Sequence, residues 1–299
     1  MAGFQDVHLP LRSISMPPRL QPDSLKVVSD LKKLKSFDFP CTAEAIREKM
    51  TILADIFVRV QDMLSSPLTE KVIAKPGNGE LIEGALDGSI AVIDACEQAK
   101  DLLLMLREQV REVQSSIRRS RGGTDSSSLE RQIKRFICFR KKAKREAAKH
   151  ARVLKKASEG SGGCPSMAEP ESSQLDIVTF KVLKDVNDIS GSVIKALFDS
   201  LSATRVSPKS TGRWSIVSRL MLTSHPQERL GSLTEVESVD SALFSILQSK
   251  NDAAGVDLKK TQKKLETLEG CILGFEEGMQ SLFKCLIQYR VSLLNVLTS

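Results

Sequence analysis

Three imidazoles are present in this chain of 299 residues, at His8, His150 and His225. None stands at the spacing of a metal-ligand pair or a catalytic triad, and none lies near a glycine-rich phosphate loop. His8 lies in a proline-bearing stretch, His150 among lysines and His225 directly before Pro226, so all three are expected to face solvent. Asp87 and Asp94, seven residues apart, fall on one face of a helix, where two carboxylates could share acid–base work. Many structural pairs share that spacing, and it assigns no reaction by itself. The cysteines, Cys41, Cys96, Cys138, Cys164, Cys271 and Cys285, form no Cys-x-x-Cys pair and have no histidine at ligand spacing. They read as reduced, mostly packed thiols of an intracellular protein. No enzyme activity, metal or cofactor is expected.

Two other groupings carry chemistry of a different kind. Arg12-Ser13-Ile14-Ser15-Met16-Pro17 fits the R-S-x-S-x-P pattern that 14-3-3 adaptors bind once the second serine is phosphorylated. Phosphate on Ser15 adds nearly two negative charges and three acceptor oxygens for an arginine cluster, and proline turns the chain out of the groove. Arg12, Ser13, Ser15 and Pro17 are therefore the expected docking residues. The second grouping is residues 131–156, with twelve basic side chains against one acid, Glu146. That local excess is larger than the +7 of the whole chain, so the remainder is net acidic. Such a run attracts nucleic acid phosphates, an anionic membrane face or acidic proteins. Arg140, Lys141, Lys142, Lys144, Arg145 and Lys149 are the expected contacts. Lys141-Lys142-Ala143-Lys144 also resembles a short nuclear-import signal. Phe136 and Phe139 alone interleave, so base stacking is poor and specific nucleic acid recognition is not expected. The competing reading is a solvated face answering acidic patches of the same protein.

Helices must position these residues, since aromatic and β-branched alternation is rare. Residues 1–23, with Pro10, Pro17, Pro18 and Pro22, lack periodicity and are expected to be a disordered arm. A short helix is predicted over 24–37. Thr42 then caps a helix whose stripe Ile46, Met50, Leu53, Phe57, Val60, Leu64 faces a core, and Pro67 ends it. Lys75-Pro76-Gly77-Asn78-Gly79 is a turn. A long helix over 80–121, stopped by Gly122-Gly123, pairs through a short connection with another over 129–157 as an antiparallel hairpin. Residues 158–174 read as a linker between an N-terminal lobe, 24–157, and a C-terminal lobe, 175–299. Further helices are predicted over 175–201, 214–222, 236–250 and 257–297. No stretch reaches the roughly 18 uninterrupted apolar residues of a membrane span. No secretory or transit pattern is read at the N-terminus. The expected location is intracellular, the cytoplasm first, with the nucleus and the membrane periphery as alternatives.

The last segment, 257–297, is the most strongly patterned. Leu258, Leu265, Ile272, Met279, Leu286 and Leu293 recur every seven residues, with Thr261, Leu268, Phe275, Leu282, Tyr289 and Val296 three positions on. This is a coiled-coil-like seam. Gly270, Gly274 and Gly278 interrupt it, each at about 1 kcal/mol against alanine in an exposed helix, which is tolerable where another helix approaches closely. The second half widens through Phe283, Cys285, Ile287, Leu294 and Leu297, as for burial in a bundle, whereas the narrow first half suits self-association. Leu258, Leu265, Leu268, Ile272 and Phe275 are the expected helix-contact seam. The fold expected is an all-α, elongated bundle with a C-terminal coiled-coil-like helix.

Several blocks in combination resemble the plant BYPASS-like family. They are Arg12 to Pro17 with Leu31-Lys32-Lys33-Leu34-Lys35, then Leu86-Asp87-Gly88-Ser89-Ile90, Asp101-Leu102-Leu103-Leu104, Arg118-Arg119-Ser120-Arg121-Gly122, and Arg290-Val291-Ser292-Leu293-Leu294-Asn295. The resemblance implies a largely helical plant protein related to proteins linked to root and shoot development, and it supplies no catalytic residues. The expected function is a non-enzymatic intracellular adaptor or regulator that meets other proteins through helix–helix contacts. The alternative is peripheral binding of an anionic membrane or nucleic acid through 131–156.

Overall fold

The hydroxyl of Thr42 accepts the Ala45 N–H at 3.2 Å, satisfying one of the donors that a helix start leaves free. From there α2 (Ala43–Leu64) buries the whole predicted stripe, Ile46 to Leu64. The computed structural model describes residues 22–36, 42–120, 126–160, 174–203, 235–248 and 254–298. Among the described residues the fold is all-α, as expected, and no strand occurs. Besides α2 the helices are α1 (Pro22–Ser36), α3 (Pro67–Ile73), α4 (Gly79–Ser120), α5 (Ser126–Gly160), α6 (Gln174–Ser202), α7 (Glu235–Gln248) and α8 (Ala254–Thr298). The arm with Arg12, Ser13, Ser15 and Pro17 lies outside the described residues, as do the helix expected over 214–222 and the loop over 205–212.

The helix ends ahead of Pro67 as expected, and Pro67 has a second part to play. α2 stops before it, with Ser65 N–H bonded to Gln61 O at 3.0 Å, and Pro67 is the first residue of α3, where its missing N–H costs nothing. The turn after α3 is as predicted. Gly77 sits at φ +98°, a region that side chains with a Cβ avoid, and Asn78 Nδ2 bonds back to Val72 O at 2.7 Å. Lys75 of this turn holds the buried Asp176 in the first turn of α6, Nζ to Oδ2 2.6 Å, where the helix dipole also favours a carboxylate.

α4 and α8 are the axis of the bundle. They run antiparallel, with Arg107 Nη1 2.6 Å from Glu276 Oε2, Arg111 Nε 2.6 Å from Glu269 Oε1, and Arg290 on the Leu86 carbonyl of α4 at the opposite end. α8 lies between α2 and α4, α5 and α6 pack on the other side of α4, α1 bridges α2 and α6, and α7 covers α8 and touches α5. One continuous core runs from Val27 to Val296. Helices on both sides of 158–174 therefore share a single core rather than closing two lobes separately. The α8 seam is filled from Leu258 to Val296, and burying each of its large aliphatic side chains stabilises the fold by about 1.5–3 kcal/mol. At Gly274 and Gly278 α2 comes so close that an added Cβ would lie 2.8 Å from Arg47 Cδ and 2.9 Å from Met50 Sδ. Gly270 meets nothing within 4 Å.

Candidate functional site: the basic ridge of α5 and its anchors

α5 divides sharply into two sides. Leu129, Ile133, Phe136, Ala143, Ala147, Ala151 and Leu154 are buried, and the three alanines let α4 and α6 approach its backbone. On the outer side Arg131, Lys134, Arg135, Lys142, Arg145, Lys149, Arg152 and Lys156 are all exposed. At 100° per residue these eight fall within an arc of about 100°, and at 1.5 Å per residue the row extends about 38 Å. Lys141 flanks it. Two of the eight meet acids, Lys134 with Glu130 at 2.5 Å and Lys149 with Glu146 at 3.8 Å. Both pairs are exposed and tie up little of the charge.

Two expected contacts are used otherwise. Arg140, on the inner side of α5, is 2% exposed, and its Nε and Nη2 lie 3.1 and 3.2 Å from the two oxygens of Asp240 on α7. Its Nη1 donates to Leu201 O at the end of α6, at 3.0 Å. Lys144 Nζ is 3.1 Å from the same Asp240. In this fold Arg140 is thus a buried clamp and Lys144 its partner, whereas Lys141, Lys142, Arg145 and Lys149 remain outside. His150 corrects another expectation. It stacks on Phe198 of α6, centroids 5.4 Å apart, and its side chain is 21% exposed, because it sits at the edge of the α5–α6 contact.

Between α4 and α5 a polar groove of about 660 Å³ is lined by Arg107, Arg111, Arg119 and Arg135 among others. Arg107 and Arg111 are answered by α8, as described. The hydrogen bond from Arg111, then that from Gln114 Nε2 at 3.0 Å, hold the Glu269 carboxyl below its ordinary range. The lining of the groove comes from α4 and α5, and Gln132 of α5 donates to Glu112 Oε2 of α4 within it.

A second polar cluster, inside the core, was missed by sequence reasoning. Asn187 of α6 donates to Ala85 O at 2.9 Å, and Arg290 of α8 donates to Leu86 O at 2.7 Å and meets Ser89 Oγ at 3.1 Å. Beside them Tyr289 is fully buried against Phe57, centroids 5.5 Å apart. Burial pushes its phenol far up, offset in part by the Asn187 amide. Gly88 makes room, since a Cβ there would lie 2.9 Å from Asn187 Nδ2. The signal available was Gly88-Ser89 inside an otherwise well-patterned helix. This junction joins three helices, and it is where two of the blocks behind the family resemblance, around Gly88 and Arg290, meet.

The seam residues Leu258, Leu265, Leu268, Ile272 and Phe275 are buried within the chain. Their helix contacts are intramolecular, so in this fold they present no surface to a partner or a second copy. Among the described residues no cluster of three metal-ligating side chains occurs, and no helix is long and apolar enough to cross a membrane.

Fold and site define a class: an all-α bundle of long helices carrying one continuous basic ridge. The family model described as Protein BPS1 matches residues 49–296, well over half of the chain, and the chain belongs to that family, the BYPASS family. No curated protein and no solved structure matches it.

Proposed function

We propose that this BYPASS-family chain is a non-enzymatic intracellular adaptor or regulator in root and shoot development, held against an anionic membrane face by the outer side of α5. The ridge carries the reading: eight exposed cations in one narrow row, with their helix fixed to the bundle behind them. At about 1 kcal/mol for each cation near an anionic leaflet, a fully engaged row supplies about 8 kcal/mol, on the order of micromolar affinity. A straight, lysine- and arginine-rich row without exposed aromatics favours a flat phosphate surface over stacking on bases. The family resemblance supports the developmental role. The Ser15 segment, as a phosphorylation-dependent 14-3-3 ligand, would add protein capture to membrane binding. The α8 seam, filled from within, is not the capturing surface of this proposal.

Co-sedimentation with phosphatidylcholine vesicles, with and without phosphatidylserine, tests the reading across a salt series. Binding should require the anionic lipid, weaken steeply with salt, and disappear in Lys142→Glu/Arg145→Glu/Lys149→Glu with the melting temperature unchanged. Tighter binding to duplex RNA or DNA at the same salt would move the ridge to nucleic acid. Absence of vesicle binding by the intact chain ends the membrane reading.

A further inference from the structure

Resting on the reading of α5 as a binder of anionic surfaces, we infer that α7 is a displaceable latch, with Asp240 occupying an anion site made by Arg140 and Lys144. The ligand this site would accept in its place is a phosphate group.

The Asp240 carboxylate is gripped as a phosphate would be. Arg140 holds it with two N–H groups and Lys144 adds a third cationic contact, at 3.1, 3.2 and 3.1 Å. Planar two-point capture by a guanidinium suits carboxylate and phosphate oxygens alike. Arg140 keeps an anchor of its own in Leu201 O, so it stays placed when the carboxylate leaves. Lys144 lies between the buried Arg140 and the exposed Lys141 around α5, which joins the site to the ridge. No other residue of the polyanion set expected from the sequence is engaged by a different helix.

α7 is built lightly enough to move. It has 14 residues, a length at which an isolated helix is marginal, and its buried apolar side chains are Val236, Val239 and Leu243, with Ile246 and Leu247 only partly buried against the core and Phe244 more than half exposed. It contacts α8 and α5 but neither α2 nor α4 to any extent comparable with the long helices. Asp240 and an external phosphate compete for the same two cations. Binding of the phosphate therefore opens α7, and loosening α7 strengthens phosphate binding by the same factor.

Hydrogen exchange over 235–248 and vesicle co-sedimentation, on the full chain and Asp240→Asn, test this. Without any ligand, Asp240→Asn should lower protection of α7 at least tenfold and leave α2, α4 and α6 unchanged. It should bind phosphatidylserine vesicles about tenfold more tightly than the unaltered chain, and adding Lys144→Ala should remove that gain. Leu243→Ser, which loosens α7 without touching the carboxylate, is the second variant and should tighten binding in the same direction. In the unaltered chain the vesicles should accelerate exchange in α7. If inorganic phosphate alone does so, the exchange of anions at Arg140 is upheld with free phosphate as the source. Unchanged protection in both variants, or an opened α7 with no gain in affinity, overturns the latch. Failure of every form to bind vesicles instead removes the membrane reading.

Discussion

Gly270, Gly274 and Gly278 offer the same substitution in three surroundings on one helix. Alanine at any of them removes a helix-interior glycine and gains up to about 1 kcal/mol. At Gly270 nothing lies within 4 Å of the new Cβ, so the full gain should appear, a rise in melting temperature of about 2 °C for a chain of this size. At Gly274 the Cβ would sit 2.8 Å from Arg47 Cδ and 2.9 Å from its Nη1. Arg47 is exposed and can swing outward, which leaves a change near zero. At Gly278 the neighbour is Met50, fully buried, with Sδ at 2.9 Å and Cβ at 3.4 Å. Overpacking of about 1–3 kcal/mol then outweighs the helix gain, for a net loss of up to about 2 kcal/mol and a fall of up to about 4 °C. Calorimetric melting of the three single variants measures the order directly. A Gly278→Ala protein as stable as Gly270→Ala would refute the close approach of α2 to α8, and with it the packing of the whole C-terminal half.

Tyr289 is the chain's single tyrosine, so tyrosinate absorbance reports on it alone. Its folded pKa lies above the unfolded value of about 10, so it contributes stability below that pH and loses it as pH rises. The phenolate signal should appear together with alkaline unfolding, and a separate, reversible ionisation near pH 10 would contradict the burial. Glu269 works in the opposite direction. Its folded pKa is depressed, so its contribution is present above the unfolded value of about 4.3 and is lost as pH falls through the folded one. Glu269→Gln should therefore flatten the acid limb of a stability curve below about pH 5, as pH falls from the unfolded value through the folded one. Arg290→Met, which removes the bonds to Leu86 O and Ser89, should cost about 1–3 kcal/mol in a denaturant titration with an unchanged slope. Leu286→Ala, at a fully buried seam position, should cost about 2–5 kcal/mol.

Helix type and extent were legible because the chain states them locally. The Thr42 cap, the Ile46 to Leu64 stripe and the seven-residue recurrence from Leu258 each depend on neighbours a few positions away. What covers a patterned face is set by residues far along the chain, and no local pattern encodes it. The seam reads identically whether α2 and α4 or a second copy fills it. The same limit applies to the basic run. Lys142 and Arg145 could be placed outside from their spacing, but Arg140 is drawn inward by Asp240, 100 residues away. Asn187 and Arg290 acquire their meaning only at the junction, where a helix interior brings Ala85 O and Leu86 O within reach of two other helices.

The placement of α8 between α2 and α4 has a consequence for synthesis. Gln61 reaches Cys285 O across 224 positions, so α2 is completed only by residues made much later in synthesis. While the chain is still on the ribosome, α2 and α4 carry an uncovered apolar cleft, and non-local closure of this kind is slow and leaves greasy surface open to aggregation meanwhile. Premature stop codons ahead of α8 should thus yield insoluble or rapidly degraded product rather than a working fragment.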